Sequence, residues 1–117
     1  MKWMREPSNC TRIVVIVSAM DSDHIDLMHH GFSCFDNIAL VQVEPSDIGA
    51  HRCVEGHVAG CDYSFLVCGE LEASLLNNLS IGNPCIYQIG QDSRAERSVI
   101  EAVEHVKKIA RLSYSRL

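Results

Sequence analysis

Carboxylate side chains follow each of the long apolar runs of this sequence. They fall into four groups, each placed just after one run: Asp21 and Asp23, Glu44 and Asp47, Glu70 and Glu72, and Asp92. Grouped carboxylates can bind a divalent cation or a basic protein surface, and a single one can act as a general base. Acids at these positions are also common helix caps, and capping alone accounts for most of them. The pattern therefore has both a functional and a structural explanation.

The distribution of charge narrows the class of partner. The net charge is −5, and residues 13–93 contain eleven acids against one base, Arg52. Such a segment repels nucleic acid and anionic membranes, whereas a divalent cation or a basic protein surface has the complementary charge. No apolar run has membrane-spanning length, and the first ten residues lack the hydrophobic region of a secretory signal. We therefore predict a soluble cytoplasmic protein that binds neither nucleic acid nor membrane.

Six cysteines and six histidines prompt a search for a metal site. His29 and His30 precede Cys34, but this group lacks the three or four converging ligands that zinc needs. Cys68 and Cys85 lie within apolar runs, and the sequence contains no CxxC. The cysteines are therefore predicted to be reduced and mostly buried.

Catalytic and nucleotide-binding motifs are missing from the sequence. No loop contains GxGxxG, GxxxxGK[ST] or GxSxG. The DxHxxG pattern of cobalamin-binding domains is also missing, because the histidine of DLMHHG at residues 26–31 comes one place late. These absences favour binding over catalysis. A small enzyme with Asp21 or Glu70 as general base is a third hypothesis, which requires a carboxylate in a closed cleft.

The sequence contains four repeats of an apolar run followed by a helical segment. These elements determine where the acidic side chains lie. Strands are predicted at 12–19, 37–43, 63–68 and 85–89, and helices at about 21–31, 47–60, 71–79 and 93–110. Because each crossover returns the chain in the same direction, the sheet should be parallel. We predict a three-layer, flavodoxin-like α/β sandwich with a four-stranded parallel sheet of order 2-1-3-4. The domain should span 12–112, after a flexible arm at 1–11 and before a tail at 113–117.

The last predicted helix is the best defined. Ser93 and Glu96 form a capping-box pattern at its start, and Val99, Val103 and Val106 form an apolar stripe. The acidic groups would gather at the carboxyl edge of the sheet, where ligands of open α/β sheets bind.

A short segment before this helix carries a family resemblance. Gln91, Asp92, Ser93, Ala95 and Arg97 match a Q-D-S-x-A-x-R pattern. In this pattern the chain resembles the small subunit of the reactivating factor for adenosylcobalamin-dependent diol and glycerol dehydratases, and the related dehydratase medium subunit. Helix capping explains Ser93 but leaves Gln91 and Arg97 without a structural role.

The resemblance implies a role rather than a reaction. The chain would be a non-catalytic adaptor that pairs with a large Hsp70-like ATPase subunit and exchanges subunits with an inactivated dehydratase, so that damaged cobalamin is released. It would form a hetero-oligomer, or a homodimer when isolated, in the cytoplasm and in association with a bacterial microcompartment. The residues expected to contact partners are Asp21, Asp23, Glu70, Gln91, Asp92 and Arg97.

No cofactor is expected to bind this chain directly, and the resemblance implies a Mg²⁺ ion at a subunit interface. The family places a metal-binding glutamate near the end of the first helix, a position that falls at about His29 here. Asp36 follows within an inserted FSCFDN segment at residues 32–37. His29 and Asp36 are therefore the candidate metal positions.

The alternative function is a stand-alone flavodoxin-like module that binds a small ligand or transmits a signal. Its acidic edge would bind a cation, and Asp21→Asn would abolish that affinity. A phospho-acceptor receiver domain would add a fifth strand and a lysine after the last strand, which this sequence lacks.

Overall fold

The computed structural model describes residues 2–18, 20–43, 62–69, 85–89 and 93–115. These residues form a five-stranded sheet and two helices. The strands are β1 (Lys2–Arg5), β2 (Ile13–Ser18), β3 (Ile38–Gln42), β4 (Tyr63–Cys68) and β5 (Cys85–Gln88), and the helices are α1 (Ser22–Gly31) and α2 (Ala95–Ser115). The predicted α/β class is confirmed.

The β2 strand lies at the centre of the sheet because its residues are suited to burial on both faces. All six of its positions are buried, as expected for a strand covered on both sides. The strand order is β1-β3-β2-β4-β5. The β2 strand is parallel to β3 and β4, and β4 is parallel to β5. The order of the parallel strands reverses between β2 and β4, so their carboxyl ends flank the topological switch point.

The first strand is the main departure from the predicted sheet. The sequence predicts a flexible arm at residues 1–11, whereas β1 pairs antiparallel with β3. Trp3 packs against one buried cluster and Met4 against the other, so β1 covers apolar surface on both faces. A strand of four residues is too short to show a hydrophobic period in the sequence. The predicted four-stranded, wholly parallel sheet is therefore corrected to a five-stranded mixed sheet, in which β3-β2-β4-β5 is the parallel part.

Both described helices pack against the same face of the sheet. Alternate residues of β2, such as Val15, share a buried cluster with Met28 of α1 and Val99 of α2. The two helices approach closely where α1 ends, because a Cβ atom at Gly31 would lie 2.8 Å from Val103 Cγ1. A side chain at Gly31 would force Val103 to move, so glycine permits this contact.

The α2 helix carries the predicted apolar stripe and extends further than predicted. Val99 and Val106 are fully buried. The helix ends at Ser115, so residues 113–115 of the predicted tail are helical. The α2 helix has 21 residues, but charged side chains occur along its length. Neither described helix is both long enough and apolar enough to cross a membrane.

The opposite face of the sheet is also buried. Its cluster draws on the strands from β2 to β4: Val14, Ile16, Ala39, Val41, Val43, Leu66 and Cys68. The helices predicted at about 47–60 and 71–79 lie outside the described residues, and so does the third layer of the predicted sandwich. The described fold is a mixed α/β sheet with two helices on one face.

Candidate functional site

The candidate site residues fall at separate places in the described part of the chain. Asp21 and Asp23 lie at the start of α1, His29 lies in its last turn, Asp36 precedes β3, and Arg97 lies in the first turn of α2. The remaining candidates and acids lie outside the described residues: Glu44, Asp47, Glu70, Glu72, Gln91 and Asp92. The predicted gathering of the acidic groups at one edge therefore stays a prediction.

Asp21 occupies a capping position without using its side chain as a cap. It is the N-cap residue of α1, with extended φ and ψ of −64° and 146°, and no side-chain capping hydrogen bond. Its carbonyl accepts bonds from the amides of His24 and Ile25, both at 3.1 Å. Asp21 and Asp23 are exposed. The Asp21 carboxylate is therefore not needed to cap the helix, and it does not lie in the closed cleft that a general base would require.

The switch point is flanked by two buried residues that the sequence did not single out as a pair. Ser18 and Cys68 are partners in register at the carboxyl ends of β2 and β4. They are 1 % and 0 % exposed, and the Ser18 Oγ has no hydrogen-bond partner within residues 2–18, 20–43, 62–69, 85–89 and 93–115. Burial raises the pKa of the Cys68 thiol, because removal from water disfavours the thiolate. The predicted burial of Cys68 is confirmed, but Cys10 and Cys34 are exposed, so the prediction of mostly buried cysteines is wrong for these two.

The candidate metal positions are exposed and do not belong to a ligand cluster within the described residues. His29 and Asp36 both lie at the surface. Across the described ranges, no group of three or more histidine, cysteine, aspartate or glutamate side chains is arranged to hold a metal ion. Mg²⁺ also prefers oxygen ligands, which suits Asp36 better than His29. Their role at a subunit interface stays a prediction.

A surface groove lies along the first two turns of α2. It has a volume of about 410 Å³ and is lined by Arg94, Arg97, Ser98 and Glu101. These positions lie on one side of the helix because they are three, four and seven residues apart. Arg97 Nε lies 3.8 Å from Glu101 Oε1, and the two side chains are 85 % and 67 % exposed. An exposed pair of this kind adds little stability. We call this surface the α2 groove.

The β4 and β5 strands contact the middle of α2 through an aromatic cluster. The Tyr87 hydroxyl is hydrogen-bonded to His105 Nδ1. The His105 ring meets the Phe65 ring edge-on, with centroids 5.4 Å apart. Tyr87 and His105 are half-buried, so this pair satisfies two polar groups inside the interface between helix and sheet. Periodicity could not reveal it, because it requires the packing of β5 against α2.

The amino end of the sheet is held by side chains bonded to distant backbone groups. Arg5 Nε donates to the Ile38 carbonyl at 3.3 Å, and Arg5 Nη2 donates to the Phe35 carbonyl. Asn37 is 2 % exposed, and its Nδ2 donates to the Ala110 carbonyl at 3.2 Å. These bonds connect β1, β3 and the last turns of α2.

The described residues thus define an α/β protein with an open mixed sheet, an exposed pair of aspartates at its carboxyl edge and a groove of mixed charge at the start of α2. Comparison with known proteins found no match: no family model, no curated protein and no solved structure matches the chain. Of the three described partner-contact candidates, Asp21, Asp23 and Arg97, Arg97 lines the α2 groove. Arg94 was not singled out from the sequence, although the predicted helix at about 93–110 already places it three residues before Arg97 on the same face.

Proposed function

We propose that this chain is a non-catalytic adaptor subunit of a complex that reactivates adenosylcobalamin-dependent diol or glycerol dehydratases. The observation that supports it is the Arg97 side chain, which is 85 % exposed and pairs with Glu101 only at 3.8 Å. Arg97 belongs to the segment at residues 91–97 that carries the family resemblance. An exposed arginine outside the core is available to a partner, and arginine is enriched among the residues that dominate binding energy.

In this proposal the chain contributes a surface, and a large Hsp70-like ATPase subunit hydrolyses ATP. The complex exchanges subunits with an inactivated dehydratase, and damaged cobalamin leaves. The contacts come from the carboxyl edge of the sheet and from the start of α2: Asp21, Asp23, Glu70, Gln91, Asp92 and Arg97. A Mg²⁺ ion at the subunit interface would involve His29 and Asp36. The complex acts in the cytoplasm, in association with a bacterial microcompartment.

The same proposal includes the finer description of the fold. The parallel part of the sheet and the helices on one face support a flavodoxin-like domain similar to the dehydratase medium subunit. A third layer would then cover the second buried face of the sheet.

Mass measurement of the chain, alone and mixed with a reactivase ATPase subunit and dehydratase, tests this function. We expect a homodimer alone and a stable hetero-complex in the mixture. Arg97→Ala should weaken the complex roughly tenfold, as expected for one lost charge-assisted contact. Lys108→Ala is the matched control, because it removes an exposed positive charge further along α2. A chain that ignores both partners at saturating concentration contradicts the proposal.

The second candidate is a stand-alone flavodoxin-like module with an acidic, cation-binding edge. It is favoured by the Asp21 carboxylate, which is exposed and does not cap α1. Titration of the isolated chain with Mg²⁺, followed by amide NMR shifts, tests this function. We expect Asp21→Asn to abolish the shifts at the start of α1, whereas Asp26→Asn on the same helix should preserve them. A wild-type chain that shows no shifts at the start of α1 excludes this function.

A further inference from the structure

We draw no further inference here: the strongest candidate, the buried Ser18 hydroxyl beside Cys68 at the carboxyl ends of β2 and β4, is without a hydrogen-bond partner among the described residues, and nothing within those residues shows which ligand or chain segment covers it.

Discussion

Each end of the sheet contains a buried polar atom without a hydrogen-bond partner among the described residues, Asn37 Oδ1 at the amino end and Ser18 Oγ at the carboxyl end. Asn37 still donates through Nδ2 to the Ala110 carbonyl at 3.2 Å, which connects the start of β3 to the last turns of α2. Among the described residues the Ser18 hydroxyl has no such bond, and its partner in register is the buried Cys68.

The side chains at the amino end stabilise the fold through hydrogen bonds, whereas, among the described residues, those at the carboxyl end do not. At the amino end, the Arg5 and Asn37 side chains bond to backbone groups of other elements. At the carboxyl end, the Asp21 and Ser18 side chains contribute neither a cap nor a hydrogen bond within the described part of the chain. Substitutions at the amino end should therefore destabilise the protein, and those at the carboxyl end should have little effect on stability.

Asn37→Asp should cause the largest loss of stability. It replaces the Nδ2 donor with an oxygen that faces the Ala110 carbonyl in a buried site, at an expected cost of about 3 kcal/mol near pH 7. Burial raises the pKa of the new carboxyl group, and its protonated form can donate to the same carbonyl. The native state of the variant then binds more protons than its unfolded state, so its deficit should shrink as the pH falls. Urea unfolding over a pH series measures this, with the exposed Asn9→Asp as control.

Arg5→Ala should have the next largest effect. It leaves the carbonyls of Phe35 and Ile38 without their guanidinium donor and weakens the attachment of β1, at a cost of about 1–2 kcal/mol. Thermal or urea unfolding measures the loss. Arg12→Ala removes an exposed arginine from the same end of the sheet and should cost much less. If the two variants lose the same free energy of unfolding, Arg5 has no special role in attaching β1.

Ser18→Ala should be neutral or should stabilise the protein by up to about 1 kcal/mol, because it removes a buried hydroxyl that forms no hydrogen bond to any described residue. Asn37→Ala is the matched comparison and should cost about 0.5–1.5 kcal/mol, because it removes the buried hydrogen bond from Asn37 Nδ2 to the Ala110 carbonyl. A clear loss of stability in Ser18→Ala would break the distinction between the two ends. It would show that the hydroxyl has a partner in solution.

Cys68 should produce the smallest effect, confined to alkaline pH. Burial raises its pKa in the folded state, so above the usual thiol pKa of about 8.5 the native protein binds more protons than the unfolded chain. Stability should therefore decrease as the pH rises through that range. Cys68→Ala should reduce this slope, whereas substitution of the exposed Cys10 should not. Alkylation followed by mass spectrometry should find Cys10 modified well before Cys68.

Periodicity predicted the central strands and the last helix because long apolar runs and stripes are visible in the sequence. The β1 strand was missed because four residues show no period and its pairing depends on β3. The helical end of α2 at Ser115 was missed because the apolar stripe stops at Ala110. Arg97 was predicted from its motif, whereas Arg94 lies outside that motif and was not singled out, although both line the α2 groove.

The two buried polar groups could not be predicted from the sequence. The role of Asn37 depends on Ala110, which lies 73 residues away in the chain. Ser18 ends an apolar run, and nothing in its neighbours indicates that the switch point would bury its hydroxyl. Both depend on tertiary packing rather than on local preference.

The position of β1 also bears on self-association. A β3 strand at the edge of the sheet would present unpaired amides and carbonyls beside buried apolar residues, a surface on which other chains can build intermolecular sheet. The β1 strand occupies that edge. It begins and ends with charged residues, Lys2 and Arg5, and its pairing with β3 has a register irregularity after Trp3. Removal of β1 should therefore promote aggregation before it abolishes folding.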